Sequence, residues 1–441
     1  MAGKQSGGII MRILLLPSYF YPEGVASPYI SRNRNQRFAD EGWEMVVYTP
    51  TPCRGITEEE RIEYSKPSHR TDLMFDGKMK VHRFPLPAEK SSPIIRAFRY
   101  FLQNVKQFNR AVFAKDARSC DVMLIASTPP TQGMMAGIAK KFNKKPLIYN
   151  LQDIFPDSLV GTGMTKKGSL LWKIGRKIEN FTYRNADKII VISEDFKKNI
   201  MAKGVPEEKI EVIYNWVEEQ AIVDVPREQN KLFDKYDLDR SKFYITYSGN
   251  IGLTQNMDML LEVMEDLKVE APDVRLVLIG EGAYKETVER KIAGQAGNDG
   301  LVKPCNDGSV KAGNVVMLPF QPYEDISYVF SLGNAGLVIS KPGVGENSVP
   351  SKTWSIMSAS RPVLANFDEN ELKDIVGDNQ CGIFTKAGDK EAFKASILEL
   401  YRHPEKCKEY GRNGRKFVMD NLTKGAGTQK YVDVVKSVVK D

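Results

Sequence analysis

Phe243-Tyr244-Ile245-Thr246-Tyr247-Ser248-Gly249-Asn250-Ile251-Gly252 reads as a buried strand running into a turn that carries two glycines. Its first six residues are aromatic, β-branched or small, the composition an enclosed, pleated strand accepts, and the glycines let the backbone pass close to another group. Its position makes this stretch decisive. Upstream, short apolar runs at 12–16, 44–49, 121–126, 146–151 and 188–193 alternate with helical patterns, and the alternation halts near Tyr214. It restarts at Phe243 and continues through runs at 274–280, 314–318, 335–340, 362–365 and 381–384. Short branched and aromatic runs alternating with helices signal parallel strands in β-α-β units. The series is too long for one sheet. The expected fold is therefore α/β, with two doubly wound Rossmann-like domains facing across a cleft. The first spans residues 1–216 and the second 243–415; a charged linker, 217–242, holds Pro226 and shows no period. A C-terminal helix over 416–441 is expected to cross back to the first domain, and the Gly/Asn/Asp-rich stretch 294–313 to be a surface insertion.

With 441 residues, 42% of them hydrophobic, the chain has material for two cores. No apolar run approaches the roughly 20 residues of a membrane-spanning helix. The run 9–16, interrupted by Arg12, reads as a first strand and not a signal peptide. Cys53, Cys120, Cys305, Cys381 and Cys407 are odd in number and unpaired in spacing, which predicts a reducing compartment without disulfides. His69, His82 and His403 lie far apart, and no metal site is expected.

The net charge of +7 is unevenly spread. Residues 90–118 carry seven basic side chains and one acid, Asp116, and 166–188 carry seven basic and two acidic. Such clusters favour an anionic partner. Between residues 93 and 113, Ile94, Ile95, Phe98, Phe101, Leu102, Val105, Phe108 and Val112 form one helical stripe, with Arg99, Lys106 and Arg110 opposite. Two readings follow: a basic amphipathic helix lying on an anionic membrane, or a core-packed helix with a solvated basic face. No nucleic-acid-reading motif accompanies these charges, so no nucleic acid is expected as partner.

Ligands of open α/β sheets bind beyond the carboxyl ends of the strands, so the loops there hold the candidates. In the first domain, Glu23-Gly24 could offer backbone N–H groups to an anion or form a plain turn. Ser127 and Thr128 would line the cleft or cap a helix. Asp153, directly after a strand, is the candidate for touching an acceptor hydroxyl, with helix capping as the alternative. In the second domain, Gly249, Asn250 and Gly252, then Glu281 between Gly280 and Gly282, form glycine turns at the same edge. The heaviest candidate is the stretch from Ser340 to Lys352. It bends through Gly343 and Gly345 and enters a helix at Pro350 or Ser351, where Lys352 and a donated Ser351 hydroxyl would suit a pyrophosphate. Walker A spacing is absent.

At these residues the chain resembles family 4 glycosyltransferases, retaining enzymes of the GT-B fold, closest to the branch that builds O-antigen and capsule polysaccharides. The likeness rests on Phe20-Tyr-Pro-Glu23-Gly24, Ala126-Ser-Thr-Pro-Pro130, Gln152-Asp153-Ile-Phe-Pro-Asp157, residues 186–193, Tyr247-Ser-Gly249-Asn250-Ile-Gly252, Ile279-Gly-Glu281-Gly282 and Ser348-Val-Pro350-Ser351-Lys352, followed by Arg361-Pro-Val-Leu-Ala365. It implies that the second domain grips a nucleotide-sugar, usually a UDP-sugar, and the first holds the acceptor. Retention without a bound metal or other cofactor is also implied. Asp153 and Lys352 would carry the chemistry. Gly249, Asn250, Gly252, Glu281, Lys341, Gly343, Gly345, Glu346, Asn347, Ser348, Pro350, Ser351 and Ser355 would surround the donor, and Glu23, Gly24, Ser127 and Thr128 the acceptor. The expected acceptor is a saccharide on polyprenyl pyrophosphate, reached by a peripheral enzyme on the cytoplasmic face of the cell membrane.

The chain departs from the family pattern twice. The Glu-x7-Glu positions of many relatives fall on Asn347 and Ser355, with Glu346 one residue early. Residues 253–256 replace the usual Arg/Lys pair, leaving Lys352 and Lys341 to supply the positive charge. These losses keep a non-catalytic nucleotide-sugar-binding protein open as an alternative, beside a GT-B epimerase.

Overall fold

A computed structural model describes residues 10–23, 28–87, 89, 92–161, 164–295, 305–345 and 349–439. The chain forms two compact units, Met1–Tyr214 with Gly427–Asp441, and Asn215–Ala426.

The first unit contains β1 (Arg12–Leu15), β2 (Glu44–Pro50), β3 (Thr71–Met74), β4 (Met79–Phe84), β5 (Val122–Ala126), β6 (Leu147–Leu151), β7 (Lys188–Val191) and β8 (Ile210–Val212). Their order across the sheet is β3-β4-β2-β1-β5-β6-β7-β8, parallel except for β3 against β4. The chain winds outward from β1, then returns to β5 on its other side, so the winding reverses between β1 and β5. Ile13, Leu14, Val47, Ile125 and Ile148 on the inner strands are fully buried, as expected for a parallel sheet covered on both faces. Four of its helices matter below: α1 (Pro28–Asp40), α2 (Pro93–Phe113), α3 (Gln132–Asn143) and α4 (Leu170–Asn185).

The second unit repeats the plan with β9 (Phe243–Ser248), β10 (Val274–Ile279), β11 (Val310–Ala312), β12 (Val315–Leu318), β13 (Ala335–Ile339), β14 (Val363–Phe367) and β15 (Gly382–Lys386). The order is β11-β12-β10-β9-β13-β14-β15, with β11 antiparallel to β12. Its winding reverses between β9 and β13. The short helix α5 (Lys352–Ser358) follows the loop after β13, and α6 (Lys424–Val438) ends the described chain.

Each of the eleven apolar runs forms a strand, and the α/β, doubly wound expectation holds in both units. The strands that were not anticipated, β3, β4, β8 and β11, are edge or next-to-edge strands. The stretch 217–242, expected as a linker, is built into the wall of the second unit. Leu232, Phe233 and Tyr236 pack into one apolar cluster with Tyr244, Val277 and Leu318. The Arg361 guanidinium donates to the carbonyls of Val225, Ser331 and Gly333, tying residues 224–226 down. Val217, Ile222, Leu232, Phe233, Tyr236 and Leu238 are buried, but their uneven spacing shows no period. At the C-terminus the helical stretch breaks at Leu422–Thr423, and α6 belongs to the first unit from Gly427 onward. Tyr431 donates to Asn150 Oδ1 at 3.2 Å, and Lys436 pairs with Glu41 at 3.1 Å. Of the expected insertion, 296–304 lie outside the described residues, and the remainder includes β11.

Candidate active site

In the second unit the loops after β9 and β13 flank the reversal point, where doubly wound sheets take their ligands. Tyr247, near the end of β9, donates its hydroxyl to the Asn250 carbonyl at 2.6 Å, which fixes its ring as a floor beneath the turn. The ammonium of Lys352, the first residue of α5, stands 3.7 Å from the centroid of that ring. A Cβ built on Gly249 would sit 2.9 Å from Lys352 Nζ. Glycine at 249 therefore keeps open the space that the ammonium occupies, and its φ of +142° also suits glycine.

The Lys352 residue is half-buried, but its charged end is enclosed, and that burial lowers its pKa to about 7. Among the described residues, no carboxylate pairs with it. A cation–π contact offsets only about 2 kcal/mol of the desolvation of an ammonium, and an enclosed, unpaired cation is unfavourable. An anion beside the ammonium would offset that cost. The expected help from the helix start is small: α5 has seven residues, and Ser351 makes no side-chain cap. Ser351 is exposed, and the Pro350 carbonyl accepts from Thr353 N at 2.9 Å. Ser355, one turn further, shares the face of Lys352. Glu346, Asn347 and Ser348 lie outside the described residues.

The two other glycine turns do different work from that expected of them. Gly343 N and Gly345 N donate to Asp368 Oδ1 and Oδ2, at 2.9 and 2.7 Å. Asn370 Nδ2 donates to the Gly345 carbonyl at 2.9 Å. The loop after β14 thus brackets this turn, and its N–H groups are already satisfied by the protein's own carboxylate. Gly280 and Gly282 serve backbone packing. Gly249 N donates to Ile279 O at 3.0 Å and Ile251 N to Glu281 O at 2.8 Å, and a Cβ on Gly280 would lie 1.8 Å from the Gly249 carbonyl oxygen. The Glu281 side chain turns to Lys285, 2.7 Å away. Gln255 accepts from Gly252 N at 3.0 Å and holds Asn250 at 3.5 Å. Lys341 donates its backbone N–H to Thr254 O at 2.8 Å, and its ammonium stands 5.8 Å from the Tyr284 ring centroid.

In the first unit, Glu23 is buried and takes three backbone N–H groups: Phe20 N on Oε2, and Cys53 N and Arg54 N on Oε1, at 2.9–3.1 Å. Glu23 was expected to lend its backbone N–H to an anion; instead its own carboxylate is the anion, held by the amides of Phe20, Cys53 and Arg54. Burial raises the Glu23 pKa against the pull of those donors. Gly24 lies outside the described residues. Ser127 Oγ accepts from Gln152 N at 3.0 Å, and the Thr128 carbonyl accepts from Ser18 Oγ at 3.0 Å. Asp153 is open to solvent, accepts from Ser158 Oγ at 3.1 Å, and has its pKa raised by the protein packed around it. The structure thus gathers Gly249, Tyr247 and Lys352 into one site, while Asp153, Ser127 and Glu23 belong to the other unit.

Residues 35–216 match the glycosyl transferase 4-like domain, and residues 228–417 match the glycosyl transferases group 1 domain. This chain is a two-domain glycosyltransferase. It is 23% identical to a probable glycosyltransferase, WbjE, of Pseudomonas aeruginosa, over 95% of this chain and 98% of that one. It is 27% identical to a putative colanic acid biosynthesis glycosyl transferase, WcaI, of Escherichia coli K12, over 48% of each chain. The crystal structure of Anabaena HepE in complex with UDP superposes with a TM-score of 0.69 at 15% identity, covering 97% of this chain and 100% of that one. That likeness places the glycosyltransferase in the GT-B fold class.

Sequence reasoning assigned no role to Tyr247, Asp368 or Asn370. Tyr247 lies inside the strand segment that carries the resemblance, but a strand aromatic reads as core. Asp368 has no signature at all, because its partners lie 23 and 25 residues away. Asp368→Asn removes one of two charge-assisted bonds, a loss of about 1.5 kcal/mol. KM of the glycosyltransferase for its donor should then rise about tenfold with a smaller change in kcat, as steady-state kinetics would read. Equal falls in kcat and kcat/KM would instead place Asp368 in the transition state.

Proposed function

We propose that this glycosyltransferase moves a sugar from a UDP-sugar to a saccharide carried on polyprenyl pyrophosphate, with retention at the anomeric carbon, in cell-surface polysaccharide synthesis. One observation carries the reading: an enclosed ammonium, Lys352, stands over Gly249 and Tyr247 at the reversal point of the second sheet. The HepE complexes with UDP and UDP-glucose, and the colanic acid role in WcaI's name, support the donor and the setting.

In the proposed reaction the bond between the sugar C1 and the diphosphate oxygen breaks, with positive charge developing on the ring. The Lys352 ammonium stabilises the leaving diphosphate, so no metal is needed for that charge. The acceptor oxygen bonds to C1 from the face the leaving group vacates, and its proton passes to the departing phosphate oxygen. Asp153, in the first unit, orients the acceptor hydroxyl. The enzyme works in the cytoplasm, at the inner face of the membrane that holds the acceptor. Asp368 acts indirectly, by holding the turn that leads to Lys352.

The pH dependence of UDP binding tests the assignment. In the free protein Lys352 has a pKa of about 7, and a bound diphosphate raises it. Binding above neutrality must therefore take up a proton, and affinity should fall by up to tenfold per pH unit as pH rises past about 7. Below about pH 6 the terminal phosphate itself protonates and binding weakens again. Calorimetry at pH 8 in buffers of different ionisation enthalpy should register the uptake of close to one proton. Uptake of none would remove Lys352 from the diphosphate site.

A further inference from the structure

Helix α2 presents polar groups inward and much of its apolar stripe outward. Arg99, Gln103 and Gln107 are buried against the sheet. Gln107 Nε2 donates to the carbonyls of Pro17 and Tyr48, both at 2.9 Å, and Gln103 Nε2 donates to Ser18 Oγ at 2.6 Å. Gln132 Nε2 joins this seam by donating to Gln107 Oε1 at 2.7 Å. Of the stripe read from the sequence, Phe108 and Val112 pack against the core, whereas Phe98, Phe101 and Val105 face solvent, Phe101 at 62% exposure. A reading in which the core absorbs the stripe fails for its first half.

The exposed surface continues onto the neighbouring helices. Phe142 on α3 meets Phe108 edge-on at 5.7 Å and is itself exposed. Lys141 of α3 lies 5.2 Å from the Phe181 ring of α4, which joins the third helix to the layer. At the start of α4, Leu170, Leu171 and Ile174 are exposed, Leu170 at 76%. Charge on the layer has one sign. Helices α2 and α3 contain no Asp or Glu, and the one acid of α4, Glu179, is buried at 6% exposure. Lys106, Arg110, Lys141, Lys173 and Lys177 are on these helices. Helix starts in this unit lie at the carboxyl edge of the sheet, the edge of the acceptor loops.

We propose that the outer face of α2, α3 and the start of α4 docks on an anionic phospholipid bilayer. Exposed aromatic and aliphatic side chains enter the acyl boundary, and the cations among them meet the headgroups. A second copy of this face is a poor occupant, because it would bring two cationic layers together. Among the described residues no helix is long and apolar enough to cross a membrane, so the contact is with the surface. The proposal rests on the reading of a lipid-carried acceptor and is tested apart from it.

The test is cosedimentation of the full chain with phosphatidylglycerol/phosphatidylcholine vesicles and with pure phosphatidylcholine, with quenching of Trp172 by brominated lipid as a depth probe. Trp172 is half-buried at the start of α4, whereas Trp43, Trp216 and Trp354 are buried. Wild type should bind the anionic vesicles alone, with Trp172 quenched. Lys173→Gln with Lys177→Gln should weaken partitioning about thirtyfold, at roughly 1 kcal/mol per cation. Phe98→Glu with Phe101→Glu should abolish it, with melting and UDP binding unchanged in each variant. Equal binding to both vesicle types, undiminished binding by the Phe variant, or a wild-type dimer that Phe101→Glu dissociates would overturn the proposal. Vesicle binding as expected, with no sugar transferred to a polyprenyl-pyrophosphate acceptor, would instead sink the acceptor reading and leave the docking face standing.

Discussion

Lys352→Met is expected to abolish sugar transfer while making the protein harder to unfold. Removing one group that stabilises developing negative charge lowers turnover about 10²- to 10³-fold. The stability gain follows from the same enclosure. In the unfolded chain a lysine titrates near its ordinary value; in the fold, burial brings Lys352 to about 7. Between those values the unfolded state holds more protons, so wild-type stability rises with pH across that window. The penalty of burying the charge is fully present below about pH 7 and fades as pH approaches the unfolded value. Allowing for the part of the side chain that reaches water, methionine should gain on the order of 3 kcal/mol at neutral pH and almost nothing near pH 10. Thermal melts of both proteins at the two pH values, with turnover measured on the same preparations, check this. A variant with wild-type turnover would refute the catalytic assignment, and one that melts lower at neutral pH would refute the enclosure.

Gly280→Ala should damage the site from behind. The added methyl would stand 1.8 Å from the Gly249 carbonyl oxygen. That atom is backbone, held by the Gly249 N to Ile279 O bond, so it cannot rotate away. Overpacking of this kind costs about 3 kcal/mol, which for a unit of this size lowers the melting temperature by roughly 6–12 °C. Because the displaced turn carries Gly249, UDP binding should fall as well. Gly294→Ala is the control. That glycine lies in a helix with nothing within 4 Å of the added carbon, and the change should be neutral or slightly stabilising. If the two variants melt together, the two turns are not locked to each other.

The strands that the sequence missed and the site residues that it missed share one cause. Apolar runs such as 243–248 and 335–339 are visible because an enclosed parallel strand must be apolar along its whole length. Strand β4, Met-Lys-Val-His-Arg-Phe, alternates buried and open positions, and its charged residues hide it. The Asp76-Gly77 turn joining it to β3 was the local signal that could have revealed the hairpin, since both residues adopt positive φ. The segment 217–242 read as a linker because its few anchoring side chains are spaced by the shape of the second unit and not by a helix or strand repeat.

The order of residues was enough to reveal two doubly wound sheets, the glycine turns at their carboxyl edges, and Lys352 as the cation at the start of a helix. Each of these follows from local rules: burial sets composition, a sharp turn needs glycine, and a strand-to-helix loop sits at a known edge of the sheet. Tertiary structure decided what the turns do. It filled the Gly343–Gly345 amides with Asp368 and the amide cradle near Phe20 with Glu23, set Tyr247 beneath the ammonium, and turned half of an apolar stripe outward over buried glutamines. Those outcomes depend on which groups distant segments bring together, because a buried hydrogen-bond donor is satisfied by whatever acceptor the fold places within reach.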